Sequence, residues 1–161
     1  GVAKQSLYDH FGGKDAIIEA YVREQDAAFS AWFTGQMADA PPDPRGRLLH
    51  TLDVLGRFIA GEAFCGCVFL GAIEELADAA HPARRAAWGH KRAFRDALAA
   101  LARDAGAAEP ALLAEQRSLL VDGVLIAARA DEHDGQRALA AAKAAAGALL
   151  AVAAGPAPTN R

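Results

Sequence analysis

The chain has 161 residues, 53% of them hydrophobic, and a formal net charge of −3. This is one domain's worth of sequence, long enough to bury a real core. No apolar run reaches membrane-spanning length without polar interruption, no secretory signal is present, and a cytoplasmic setting is the default.

The first predicted element is a short helix from about Val2 to His10. Val2, Leu7 and Phe11 fall on one face, and Lys4, Gln5, Ser6, Tyr8 and His10 point away from it. Lysine, glutamine and serine near a helix N-terminus suit the DNA major groove, where they reach guanine, adenine and phosphate acceptors. Tyr8 and His10 are long enough to fix register on the backbone. Gly12-Gly13 then turns the chain, and Lys14 opens the next helix, where its charge and the free N–H groups favour a phosphate.

The pattern Gly-Val-x-Lys-x-Ser-Leu-Tyr-x-His-Phe-x-x-Lys over residues 1–14 resembles the recognition helix and following turn of TetR-family transcription regulators. That resemblance implies that Lys4, Gln5 and Ser6 face the groove, that Tyr8, His10 and Lys14 face phosphates, and that the first helices of the helix-turn-helix precede Gly1. Residues 1–13 are then a remnant of the DNA-binding domain, 14–154 the ligand-binding and dimerisation domain, and 155–161 a frayed tail. Two positions depart from the pattern: Ala3 replaces a Ser or Thr cap, and Gly13 replaces a Ser cap. In residues 1–33, Lys4, Lys14 and Arg23 are outnumbered by Asp9, Asp15, Glu19, Glu24 and Asp26. Most of the positive charge needed to grip DNA must come from elsewhere.

The second helix is expected from Lys14 to about Ala38, with one stripe through Ile18, Tyr21/Val22, Gln25, Phe29, Trp32/Phe33 and Gln36/Met37. The run Pro41-Pro-Asp-Pro44 ends it. A third helix follows from Pro44 to Gly61, with Leu48, Leu52, Leu55 and Ile59 inward, and a short apolar one from Phe64 to Asp78. His81-Pro82 opens a longer helix to Asp104. Helices from Glu109 to Ala130 and from Gly135 to Val152 complete an all-α chain, in keeping with abundant alanine and few β-branched residues.

The helix from Glu109 is apolar on more than one face, and the last helix carries small residues that permit close approach. The simplest arrangement packs this pair against its copy as a two-fold four-helix bundle, which is also where TetR-like proteins dimerise. The expected interface is Leu119, Leu120, Gly123, Val124, Ala127, Leu139, Ala142, Ala146, Leu149 and Leu150.

The middle helices hold most of the aromatic residues, as an apolar cavity with a few placed polar groups requires. The expected ligand-lining set is Phe29, Trp32, Phe33, Phe58, Phe69, Ile73, Glu74, Trp88, His90 and Phe94. His90 shares a stripe with Ala87, Phe94, Leu98 and Leu101, so it faces inward and needs a ligand or a protein partner, with Glu74 or Glu75 as candidates. Gly66-Cys67-Val-Phe69, Glu74, His81-Pro82 and His90-Lys91 resemble a recurring pattern in one TetR subgroup's regulatory domain. His50, Asp53 and Arg57 are expected on a solvated face.

Cys65 and Cys67 make neither a disulfide framework nor a four-thiolate zinc site, and no metal or cofactor is expected. Nothing local activates the Cys67 thiol and no phosphate-cradling glycine loop is present, so no catalytic residue is assigned. The resemblance implies a bacterial homodimeric repressor, released from operator double-stranded DNA by a small-molecule effector held between the middle helices. The competing reading is a dimeric all-helical ligand-binding or interaction module with no DNA role.

Overall fold

The computed structural model describes residues 12–153. Six helices build them: α1 Lys14–Met37, α2 Pro44–Ile59, α3 Val68–Glu75, α4 Pro82–Asp104, α5 Pro110–Ala130 and α6 Glu132–Ala153. No strand element is found among the described residues. The all-α expectation is met, and four of the six helices keep their expected limits to within about two residues. The expected helix at residues 2–10 and the tail at 155–161 lie outside the described residues.

Each boundary has a local cause. Asp43 stops the chain in an extended conformation and accepts the Gly46 amide at 2.7 Å, while Pro44 supplies a pre-set first helical residue for α2. A cap of this kind stabilises a helix by about 1 kcal/mol.

α3 is shorter than expected at both ends. Gly66 has φ +110° and Cys67 is extended, so helix begins only at Val68. The positive φ of Gly66 is what favours glycine there; a Cβ would lie 2.9 Å from Cδ of the exposed Arg129, whose flexible side chain can move aside. At the other end Leu76 is extended, and Arg84 Nη1 donates to the carbonyls of Leu76 at 3.1 Å and Ala77 at 2.9 Å. A cation there satisfies carbonyls that the helix end leaves unpaired.

α6 begins three residues before the expected Gly135. Asp131 is the only residue between α5 and α6, and its Oδ1 accepts the amides of His133 at 2.8 Å and Asp134 at 3.2 Å. The glycine at 135 is not a helix start; it is where α6 crosses close to α5.

The chain divides into two compact units, one of residues 12–33 and 67–93 and one of residues 34–66 and 94–153. The first unit is built on Val22 of α1, Phe69 of α3, and Ala83 and Ala87 of α4, with Ile18, Ile73 and Leu76 packed around them. Two alanines on α4 leave room for the large Phe69 ring.

The second unit centres on Leu48 of α2, Leu98 and Ala102 of α4, Leu113 and Ala114 of α5 and Leu150 of α6. Each buried leucine contributes roughly 2 kcal/mol relative to exposure. α2 and α6 are further tied by Arg45 donating to the Leu150 carbonyl at 3.1 Å.

The face bearing His50, Asp53 and Arg57 is not simply solvated. His50 is buried, with Nε2 3.3 Å from the Gln36 carbonyl, and Arg57 donates to Gln36 Oε1 at 2.8 Å. Asp53 meets Lys143 of α6 at 2.6 Å. The residues beside α2 and at the end of α1 supply partners that spacing along one helix does not reveal.

Candidate functional site

The most concentrated polar and aromatic arrangement of the first unit surrounds His90. The imidazole projects from α4, and its Nδ1 lies 2.7 Å from Asp26 Oδ1 on α1. The Phe69 ring stacks on it with centroids 3.5 Å apart and planes 11° apart, and Phe29 of α1 meets its edge at 5.1 Å and 78°. Phe29 in turn stacks on Phe33 at 5.8 Å and tilts against Trp32 at 5.9 Å. Helical spacing explains the assembly: Asp26, Phe29 and Phe33 lie three and four residues apart on one side of α1.

The chemistry of this group follows from its geometry. A carboxylate at Nδ1 places the ring proton on that nitrogen and fixes the ring's orientation. His90 is buried while the Asp26 side chain is 44% exposed, so the pair runs from a dry aromatic interior to water. The imidazole is thus an oriented polar group in an aromatic frame, stacked on Phe69 and met edge-on by Phe29.

A second histidine supports the same unit. His81 accepts the Ala83 amide on Nδ1 at 3.2 Å, and its Nε2 lies 3.4 Å from Asp15 Oδ1 near the start of α1.

The expected ligand set is only partly gathered here. Phe29, Trp32, Phe33, Phe69 and His90 form the connected ring cluster, and Ile73 packs against the core that contains Phe69. Phe58 and Phe94 belong to the second unit, where Phe58 meets Phe64 edge-on at 5.5 Å and Phe94 packs on the leucine core. Glu74 and Trp88 are exposed. The acid beside His90 is Asp26, not Glu74 or Glu75. The missed residue carried a signal, since it lies one turn before Phe29 on α1.

The expected dimer residues also divide. Val124, Leu139, Ala142, Ala146 and Leu150 are buried within the chain's own core. Leu119 and Gly123 are exposed, while Leu120, Ala127 and Leu149 are half-buried. Two exposed leucine-class residues of α5 outside the expected set, Leu112 and Ile126, share the face of Leu119. Their seven-residue spacing, at positions 112, 119 and 126, repeats one side of the helix.

Of the expected DNA-contacting residues, Lys14 is the exposed first residue of α1, and Lys4, Gln5, Ser6, Tyr8 and His10 lie outside the described residues. Cys65 is exposed and Cys67 half-buried, and neither is in a disulfide. Among the described residues no cluster of three or more His, Cys, Asp or Glu side chains is placed to hold a metal ion. None of the described helices is long and apolar enough to cross a membrane.

Over its described residues the chain is all-helical, with an aromatic cluster packed against its long first helix. Solved structures with this fold are known. A TetR-family transcriptional regulator of Streptomyces coelicolor superposes with a TM-score of 0.85 at 27% identity, covering 96% of this chain and 80% of that one. A chain from Streptomyces avermitilis assigned as a TetR transcriptional regulator gives 0.79 at 32% identity, covering 95% and 81%. The protein belongs to the TetR family of transcriptional regulators. No family model and no curated protein matches the sequence.

Proposed function

We propose that this chain is the regulatory part, with an attached recognition segment, of a cytoplasmic homodimeric repressor that leaves operator DNA when a small molecule binds. The observation that carries the reading is the likeness to TetR regulators along nearly the whole chain, at up to 32% identity in the two solved structures. Lys4, Gln5 and Ser6 would read the groove, and Tyr8, His10 and Lys14 would hold phosphates. Residues 1–13 serve DNA binding and residues 14–154 ligand binding and dimerisation.

The effector site in this proposal is the cluster of Asp26, Phe29, Phe69 and His90. Its position on α1 supplies the coupling. Asp26 lies twelve residues from Lys14 on one helix, about 18 Å at 1.5 Å per residue. A ligand that displaces the Asp26–His90 pair tilts a rigid rod whose far end adjoins the recognition segment. Across a two-fold dimer the two recognition helices must match a half-site spacing of about 34–36 Å, so a small tilt weakens binding.

The test is a panel of aromatic and aliphatic metabolites screened for release of the full-length protein from DNA upstream of its own gene. A releasing compound should act on the parent protein and fail, or need at least roughly tenfold more, with His90→Leu, because a lost buried polar contact costs about 1–3 kcal/mol. The DNA affinity of the unliganded variant should stay within about threefold of the parent. Equal release of parent and variant would remove His90 from the effector site.

A further inference from the structure

The second unit buries a cation that forms no ion pair among the described residues. Arg117 of α5 is 1% exposed and is the bulkiest fully buried side chain among the described residues. Its Nη2 donates to the Leu48 carbonyl and to Thr51 Oγ1, both on α2 and both at 2.7 Å. Thr51 Oγ1 itself donates to the Leu48 carbonyl at 2.8 Å, so the two acceptors form a neutral pair. A guanidinium carries five N–H donors, and this pair takes two. The Nε and Nη1 groups, which carry the other three, are buried with no hydrogen-bond partner among the described residues. Burial alone pushes the guanidinium down from its usual value to about 10.

Such an arrangement is costly for the chain alone. A buried charge is normally paired, and a hydrophobic side chain of the same size is often no less stable in its place. Nor does the dimer surface supply the missing charge. Arg117 shares the buried face of α5 with Leu113, Ala114, Val121 and Val124, while Leu112, Leu119 and Ile126 define the exposed one. A second copy docked on the exposed stripe meets the wrong side of the helix.

We infer that Arg117 is the anchor of a small organic carboxylate bound between α2 and α5, an anion site separate from the His90 cluster. The remaining donors select this class. Three N–H bonds on two nitrogens suit the two oxygens of a carboxylate, each with two lone pairs. One negative charge balances one guanidinium, whereas phosphate brings an excess that the neutral Leu48–Thr51 pair cannot offset. Leu48, Leu113 and Ala114 belong to the apolar cluster of the unit, so the surroundings of Arg117 favour a short hydrocarbon end over a hydrated inorganic ion. This inference does not depend on the DNA or effector reading above.

The probe is butyrate, added to the full chain in a buffer free of other carboxylates. Butyrate should raise the melting temperature and shift the Nε–H resonance of Arg117, which burial protects from solvent exchange. Butyramide, nearly the same shape without the charge, should do neither, and chloride at matched ionic strength should leave the resonance in place. In Arg117→Met, butyrate binding should weaken at least roughly tenfold, the scale of a lost charged hydrogen bond. The variant should also melt no lower than the parent in anion-free buffer. Should that variant fail to fold, the parent's resonance still decides, with Arg84→Lys distinguishing the other buried Nε–H. An Nε–H signal unmoved by butyrate, or moved equally by chloride, overturns the inference.

Discussion

For the proposed homodimer, Leu119→Glu is expected to leave a folded monomer and to weaken operator binding by at least roughly a hundredfold. Leu119 is 65% exposed, and Leu112 and Ile126 are 56% exposed on the same side of α5. A stripe of three large apolar residues facing water marks an association surface rather than a core. The substitution touches nothing in the chain's own interior, so folding should survive. A buried glutamate at the centre of the dimer, facing its own copy, cannot be satisfied by either subunit. Operator binding falls because one recognition segment without its partner loses the second half-site and the avidity it brings. Sedimentation equilibrium reads the mass, circular dichroism reads the fold, and a dimer that persists with Leu119→Glu would move the interface away from α5.

Gly135→Ala should destabilise the chain by about 1–3 kcal/mol, the usual cost of overpacking a well-packed contact. A Cβ on Gly135 would lie 2.6 Å from the Ala128 Cβ and 2.7 Å from its Cα. The second of those atoms is backbone and cannot rotate away. The helices must separate, and they are joined by the single residue Asp131, which leaves little slack. Adding Ala128→Gly should therefore restore only part of the loss, because it removes the Cβ contact and leaves the Cα in place. Thermal unfolding of the two single variants and the double variant checks this. Full rescue, or a neutral Gly135→Ala, would show that α5 and α6 do not approach as closely as described.

Much of the helix plan was legible because proline and acidic caps punctuate this chain strongly. Pro44, Pro82 and Pro110 each open a helix at or beside the expected residue. The boundaries that differ turn on local backbone chemistry rather than on apolar spacing. α3 starts late because Gly66 has positive φ and Cys67 is extended, and α6 starts early because Asp131 caps it. Neither effect is visible as periodicity.

The site was half legible. An inward-facing His90 was correctly expected from its stripe, but its acid was sought on the nearest helix in sequence, whereas Asp26 comes from α1. At the dimer surface, residues apolar on two faces do not say which face the chain uses for itself. Packing against α2 and α4 assigns Leu113 and Leu150 to the core and leaves Leu112, Leu119 and Ile126 outside. Arg117 is masked in the sequence by the surrounding leucines, although apolar or small residues at positions 113, 114, 121 and 124 place it at the middle of the buried face.

The central claim is that the chain serves sequence-specific DNA binding, and fluorescence anisotropy with the full-length protein tests it most directly. The DNA is a labelled fragment from upstream of its own gene, with a scrambled fragment of equal length and composition as control. Saturable binding at least roughly a thousandfold tighter to the first fragment is expected. Lys4→Ala combined with Gln5→Ala should abolish that preference and leave residual salt-dependent binding. Equal affinity for the two fragments, or a preference unchanged by the double substitution, would contradict the claim.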